Sequence, residues 1–328
     1  MSIRRRSLIG AWTALLATPA MTLAQPSSKV WRVGFLEVFP RPADGLPPGY
    51  LRKGLDALGI VEGKDVIYEG RYGEGRHERL PALAAELVAL KVDVIVTVGG
   101  ASAAAAKQAT STIPIVVTFP GDVVETGLVS SLARPGGNVA GVNDPAAILS
   151  AKRLELLKDL SPSAQKVAVL WNANEKAMTL RYHEIEKAAR ALGMSVQPFS
   201  VREPDDFSTA IEAMKRARPD VLMMLTDALT AVHMQRVVDY ATAQSVPAIY
   251  EYDFVVRGGG LMSYGSSIGD NLKLAAQYVY KILKGAKPSD LPVEQPNKYF
   301  LVVNGTSAQA QGLRIPNSFL LRADEVLK

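Results

Sequence analysis

The sequence has 328 residues, with 37 Lys and Arg against 32 Asp and Glu, a formal charge of +5 and no cysteine. The missing thiol excludes disulfides, thiolate metal sites and a cysteine nucleophile. The length suits two domains, and no run of Lys and Arg marks a nucleic-acid surface.

Residues 1–24 read as a signal peptide cleaved near Ala24. Arg4, Arg5 and Arg6 form a positive start, Ile9 to Leu16 a short apolar core, and Thr22-Leu23-Ala24 a small-x-small site. The apolar stretch is too short to span a bilayer. Arg5-Arg6-Ser7-Leu8-Ile9 also resembles a twin-arginine signal, so Sec and twin-arginine export both stay open. Either route implies a periplasmic location. Removing the segment takes three basic residues and no acidic one, leaving 34 minus 32, or +2, so a pI of 9.2 overstates the basicity of the mature chain.

Next comes an apolar strand, Trp31 to Val38, closed by Pro40. Leu80, Leu83, Ala84, Leu87 and Val88 form a helical stripe within Arg79 to Leu90. A strand at Val94–Val98, a helix from about Ser102 and a strand at Ile113–Phe119 follow. The second half repeats the order. Val33 and Val167 lie 134 residues apart, as do Leu58 and Leu192; Asp93 and Asp220 are 127 apart, and Pro114 and Pro247 are 133 apart. Further on are a glycine-flanked strand in Arg257–Gly265, a helix Asp270–Leu283 and a last strand in Lys298–Gly305. The alternation predicts an α/β fold of two similar lobes, each a doubly wound parallel sheet.

Ligands of such sheets sit beyond the carboxyl ends of the strands. That rule selects Glu37, Val38, Gly99, Gly100, Ala101, Ser102, Pro120, Gly121 and Asp122 in the first half, and Trp171, Asn172, Asn174, Thr226, Asp227, Tyr250, Glu251 and Tyr252 in the second, with Tyr264 added from the glycine-flanked strand. Ser102 is placed as the N-cap of a helix whose free N–H groups hold a carboxylate, or as part of a turn and cap only. Asp227 either caps its helix or meets a ligand ammonium. Asp122 reads better as a cap than as a contact. Trp171 is a core aromatic or, by its alignment with polar Glu37, an edge residue. Tyr250 and Tyr264 are hinge packing or ligand walls, and Glu251 is placed as exposed at a crossover.

No G-x-G-x-x-G follows a strand and no P-loop is present, so no nucleotide cofactor is expected. Gly265-Ser266-Ser267-Ile268-Gly269 fits G-x-S-x-G, but the hydrolase order needs a histidine after the serine. His77, His183 and His233 all precede it. A loop leading into a helix cap at Asp270 is the better reading. The three histidines lie in separate polar segments and are expected to be solvated, with no metal site.

Several stretches carry a family resemblance: "LGIVEGKDVIYEGRYGEGRHERLPALAAELVALKVDVIVT", "ATSTIPIVVTFPGDVVETGLVSSLARPGGNVAGV", "KRLELLKDLSPS", "VAVLWN", "VPAIYEYDFVVRGGGLMSYG" and "YKILKGAKPSDLPVEQPNKYFLVVN". They resemble the ABC transporter substrate-binding proteins of the tryptophan/tyrosine-type group. The resemblance implies the type I periplasmic-binding-protein fold, two lobes joined by three crossovers. The lobes are then 30–142 plus 253–296 and 143–252 plus 297–328, with hinges near Gly141–Asp144, Tyr250–Asp253 and Gln295–Lys298. It also implies a monomer that closes on a small organic solute (an amino acid, or an aromatic or other small carboxylate) and docks on an inner-membrane permease, without catalysis. A secreted hydrolase using Ser267 and a ligand-sensing partner of a membrane receptor stay open as alternatives.

Overall fold

The computed structural model describes residues 29–143 and 146–328. The expected signal peptide and Asp144 of the first hinge lie outside them. Among the described residues no helix is long and apolar enough to cross a membrane.

The first half supplies strands β1 (Trp31–Glu37), β2 (Val66–Tyr72), β3 (Val94–Val98), β4 (Ile115–Thr118) and β5 (Val139–Gly141). Helices α1 (Gly49–Ala57), α2 (Leu80–Ala89) and α3 (Gly100–Ala109) connect them. The strands form one parallel sheet in the order β2-β1-β3-β4-β5. Val94, Ile95 and Val96 are buried without alternation, because helices cover both faces of the sheet.

The second half contains α4 (Ala146–Leu160), β6 (Lys166–Asn172), α5 (Lys176–Ala191), β7 (Ser195–Val201), α6 (Asp206–Ala217) and β8 (Val221–Met224). It continues with α7 (Ala228–Val232), α8 (Met234–Ala243), β9 (Ala248–Tyr250), α9 (Asp253–Arg257) and β10 (Met262–Gly265). Its sheet runs β7-β6-β8-β9-β10, the same permutation as the first, and then adds β11 (Phe300–Asn304) and β12 (Glu325–Leu327). The register repeats as well: Val33 pairs with Val94 across β1 and β3, and Val167 with Val221 across β6 and β8.

One lobe boundary needs correction. The sequence assigns 253–296 to the first lobe, but β10 pairs with β9 and β11 in the second sheet. The chain changes lobes only after it, at Ser266–Ser267, and not at Tyr250–Asp253. Tyr250 is fully buried at the end of β9. The glycine that ends β10 has a steric role. A Cβ on Gly265 would lie 1.9 Å from the Glu251 carbonyl oxygen, so only glycine lets β10 lie this close. Helix α10 (Ile268–Leu283) then returns to the first lobe, where Ala275, Ala276 and Val279 join a core with Val33, Phe35, Leu51 and Leu55. Gly54 on α1 gives α10 its close approach, since a Cβ there would sit 2.7 Å from that of Ala276. Glu294 bridges to Val142 before the third crossing leads into β11.

Trp171 ends β6 but faces the core of the second lobe. It is 8% exposed and its ring stacks on Tyr182 of α5 at 4.0 Å and 12°. Replacing it with Phe shrinks a packed stack, and a loss of about 1–2 kcal/mol is expected. Trp31, half-buried at the start of β1 under Lys29, is a control whose change to Phe leaves stability nearly untouched. Urea midpoints of the two variants check this, and equal midpoints would remove Trp171 from the core.

Candidate ligand-binding site

The carboxyl edges of the two sheets face each other across a cavity of about 370 Å³. In the first lobe β3 turns directly into α3. Gly99 caps the helix at φ +85, a backbone region that other residues rarely enter. A Cβ on Gly100 would lie 2.9 Å from the Pro120 carbonyl oxygen, so this turn cannot carry a side chain. No side chain caps α3. The N–H groups of Gly100, Ala101 and Ser102 therefore have no intrahelical acceptor, and all three residues line the cavity. The Ser102 hydroxyl is buried there without a partner. Such a terminus, three N–H groups with the positive end of a ten-residue helix, suits an anion.

Glu37 ends β1 on the neighbouring strand. It is 7% exposed and lines the same cavity, and its carboxyl group accepts no hydrogen bond from the described residues. Burial alone raises its pKa from 4.5 to about 7. One wall thus holds free donors, and beside them a carboxyl group without a counter-charge.

In the second lobe Asp227 begins α7 in a capping box: its Oδ1 accepts from the Thr230 N–H at 3.0 Å, and its Oδ2 accepts from the Asn172 amide at 2.6 Å. Thr226 precedes it, with a buried, unpartnered hydroxyl. Behind this wall lies an ion cluster. Arg153 and Arg181 both donate to Glu251, at 3.0 and 2.9 Å, and the Thr226 N–H donates to the same carboxylate at 2.8 Å. Arg181 also lines the cavity.

The lobes touch around the opening. Phe119, at φ +52 after β4, sets its ring edge-on to Tyr252 of the second lobe at 5.5 Å, and Tyr252 stacks on Phe254. A Cβ on Gly121 would come within 2.8 Å of the Ala177 Cβ across the cleft. His77, in a short turn after β2, meets Glu175 at the start of α5, with Nδ1 to Oε1 at 3.2 Å. Its pKa is raised, first by that hydrogen bond, with the Glu175, Asp227 and Glu78 charges adding and burial opposing. The donor atoms of His77, Glu175 and Asp227 lie within 4.8 Å of one another, the one such group among the described residues. Both Asp227 oxygens already serve the capping box and Asn172, so the group is an ion-pair cluster rather than an open ligand set.

Of the expected site residues, Glu37, Gly99, Gly100, Ser102 and Asp227 line the cavity; Asp122, Trp171, Asn172, Asn174, Tyr250 and Tyr264 do not. Gly99, not Ser102, is the N-cap of α3. Asp122 caps its own turn, accepting from the N–H groups of Val124 and Glu125. Asn172 orients Asp227 from behind, and Asn174 donates to the Arg202 carbonyl. Tyr250 is core, and Tyr264 packs against Tyr299. Glu251, expected at the surface, is 0% exposed. His77, expected to be solvated, is half-buried in the cavity wall. Ser267 N-caps α10, its Oγ accepting from the Asp270 N–H. Tyr252 was selected from sequence as a strand-end residue, whereas His77, Glu175, Arg181, Phe119 and Phe254 were not. Only their neighbourhood to strand ends could have flagged them.

Residues 44–327 match the family model described as ABC transporter substrate binding protein. A tyrosine-binding protein of Clostridioides difficile strain R20291 is 28% identical over 306 residues, covering 92% of this chain and 88% of that one. The ABC domain from Streptococcus pneumoniae in complex with L-Trp is similar at 26% identity, with a TM-score of 0.83 over 91% of this chain and all of that one. The ligand-free, open structure of a substrate binding protein with adhesive properties from Clostridium difficile has 27% identity and the same coverage, but a TM-score of only 0.66. At nearly equal identity, the overall likeness is greater to the L-Trp complex than to the open, ligand-free relative. The chain has the type I periplasmic-binding-protein fold and belongs to the family of ABC transporter substrate-binding proteins.

Proposed function

We propose that the chain is the exported receptor of an ABC importer, binding one zwitterionic amino acid with an aromatic side chain and presenting it to an inner-membrane permease. The observation that carries this is the pairing, in one cavity, of free helix N–H groups with an uncompensated buried carboxyl. An α-carboxylate satisfies Gly100, Ala101 and Ser102, and an α-ammonium satisfies Glu37. Phe119, Tyr252 and Phe254 then face the side chain. A cavity of about 370 Å³ is at the small end of ligand pockets, roughly 300–1,000 Å³. The tyrosine-binding and L-Trp-bound relatives support an aromatic amino acid, and the sequence of residues 1–24 supports export.

Calorimetry and thermal shift with L-tyrosine and L-tryptophan, each beside its decarboxylated and deaminated analogue, test the reading. Only the intact amino acids should bind tightly. At 100 times Kd the ligand should add about 2.7 kcal/mol of stability. Equal binding of the deaminated acid would remove Glu37 from the site.

Glu37→Gln should weaken the amino acid at least tenfold, since a charged partner is lost. It should also favour the closed form of the empty protein. In that form the Glu37 pKa lies at about 7 instead of 4.5, so this group leaves closure unopposed below pH 4.5 and disfavours it as pH rises toward 7, by about 3 kcal/mol. The glutamine lacks that loss, so ligand-free Glu37→Gln should be closed more often than wild type at pH 8 and not at pH 4, as read by small-angle scattering. A variant less closed than wild type at pH 8 contradicts the account.

Gly121→Ala places a methyl at φ +75 against Ala177 of the other lobe. Closure should be hindered and affinity should fall by about tenfold or more, while circular dichroism stays native. Unchanged affinity would mean that the lobes do not meet here when the site is filled.

A further inference from the structure

We infer that His77 and Glu175, with Asp227 beside them, form a latch that holds the two lobes together over an occupied cavity and releases them when the imidazole loses its proton. The inference rests on the reading of the cavity as a ligand site, but it concerns the closing of the lobes and not the choice of ligand. His77 comes from the first lobe, whereas Glu175 and Asp227 come from the second. The 3.2 Å contact therefore exists only while the lobes are together. His77 is also the one basic side chain that the first lobe contributes to the cavity wall.

The surroundings explain why a proton there favours closure. The charged groups facing the imidazole are Glu175 at the start of α5, Asp227 at the start of α7, and Glu78 on its own turn. All are acidic, and two of the three arrive with the other lobe. Glu37 and Arg181 line the same cavity. Nε2 is buried with no hydrogen-bond partner. Opening thus moves His77 away from two carboxylates, so its proton is held more tightly in the closed state than in the open one. By linkage, each proton bound in the closed state favours that state. The raised pKa has the sign this requires: closure is strongest at low pH and weakens as pH rises through the folded-state value. The imidazole side chain is 32% exposed, so solvent screening keeps the effect modest.

A cysteine-free chain lets two labels be placed uniquely. Spin labels at Gln108→Cys and Glu203→Cys, exposed positions on opposite lobes, report the fraction closed between pH 5.5 and 8.5, with and without L-tyrosine. In wild type the ratio of closed to open should fall about five- to tenfold across this range, the yield of a partly screened ion pair. In His77→Asn, whose amide nitrogen can take the Nδ1 place without a charge, the fall should shrink to the part that Glu37 contributes, and in Glu175→Gln it should shrink likewise. Comparing variant with wild type at each pH cancels the titration of Glu37, which runs in the same direction as that of His77 in the empty protein and opposite to it once a ligand ammonium pairs with the carboxylate. A flat wild-type ratio, or the same fall in His77→Asn, overturns the latch. A closed fraction that rises with pH and requires added zinc also overturns it, in favour of a metal site, since metal binding needs the neutral imidazole. If L-tyrosine leaves the closed fraction unchanged at every pH while the His77-dependent fall remains, the ligand reading fails and the latch stands.

Discussion

Glu251 is the point through which the second lobe's half of the cleft is built. Its carboxylate, with no exposure to solvent, accepts from Arg153 on α4, Arg181 on α5 and the Thr226 backbone after β8. Arg153 reaches on to the Tyr264 carbonyl in β10. One acidic group thereby fixes two helices and three strand ends at the sheet's carboxyl edge. Buried ion clusters add little net stability over apolar packing, because desolvation offsets much of the attraction. Their value here is positional. Arg153 is held on two sides, by Glu251 and the Tyr264 carbonyl, and Arg181 is tied through Nη1 to both Glu251 oxygens at the cavity wall. The same demand explains Gly265: β10 must pass within contact of the Glu251 backbone for the cluster to close.

The duplication supplied two equivalent edges, and they have been filled in opposite ways. Gly100 opens α3, and Asp227, 127 positions later, precedes α7. In the first lobe the helix start carries no side-chain cap, and its N–H groups stay free. In the second the Asp227 carboxylate occupies that place, and Thr230 completes the box. Only one of the two helix termini can therefore receive an external anion. Glu37 and Trp171 show the same divergence, 134 positions apart. One turns a carboxyl to the cavity; the other is covered by Tyr182. A ligand with distinct ends meets a site with distinct walls because the repeats no longer match at these slots.

The alternation of strands and helices, the repeat and the edge that carries the cavity were legible because they follow from periodicity and from the way parallel strands must be connected. Glu37, Gly99, Gly100, Ser102 and Asp227, selected by that geometry, line the cavity. Trp171, Tyr250 and Tyr264 sit at equally good strand ends and face away. Position along a strand fixes the edge, whereas the packing of the next helix decides which side chain stays open to it. His77 and Glu175 belong to turns that no periodicity describes, and they matter only because another lobe arrives opposite them. Glu251 looked like an exposed crossover residue because its two arginines are 98 and 70 positions away. The strand at Met262–Gly265 was put in the wrong lobe because the crossover positions came with the resemblance, whereas strand pairing sets β10 beside β9 and β11.

On the proposed reading, Glu37 also couples ligand to closure. An open cleft leaves its carboxylate hydrated. Closing over an empty cavity strips that water and supplies nothing in exchange, so an empty closed form carries either a protonated Glu37 or the cost of a buried bare charge. An ammonium group removes that cost, and it does so only when both lobes enclose it. Small residues at the meeting surface, Gly121 against Ala177, let the lobes come that close. The attraction between lobes is kept short of what would shut an empty site, and the ligand provides the difference. That is the condition for a receptor whose closed state reports occupancy: the two states must differ in affinity by enough to invert a population that otherwise favours the open form.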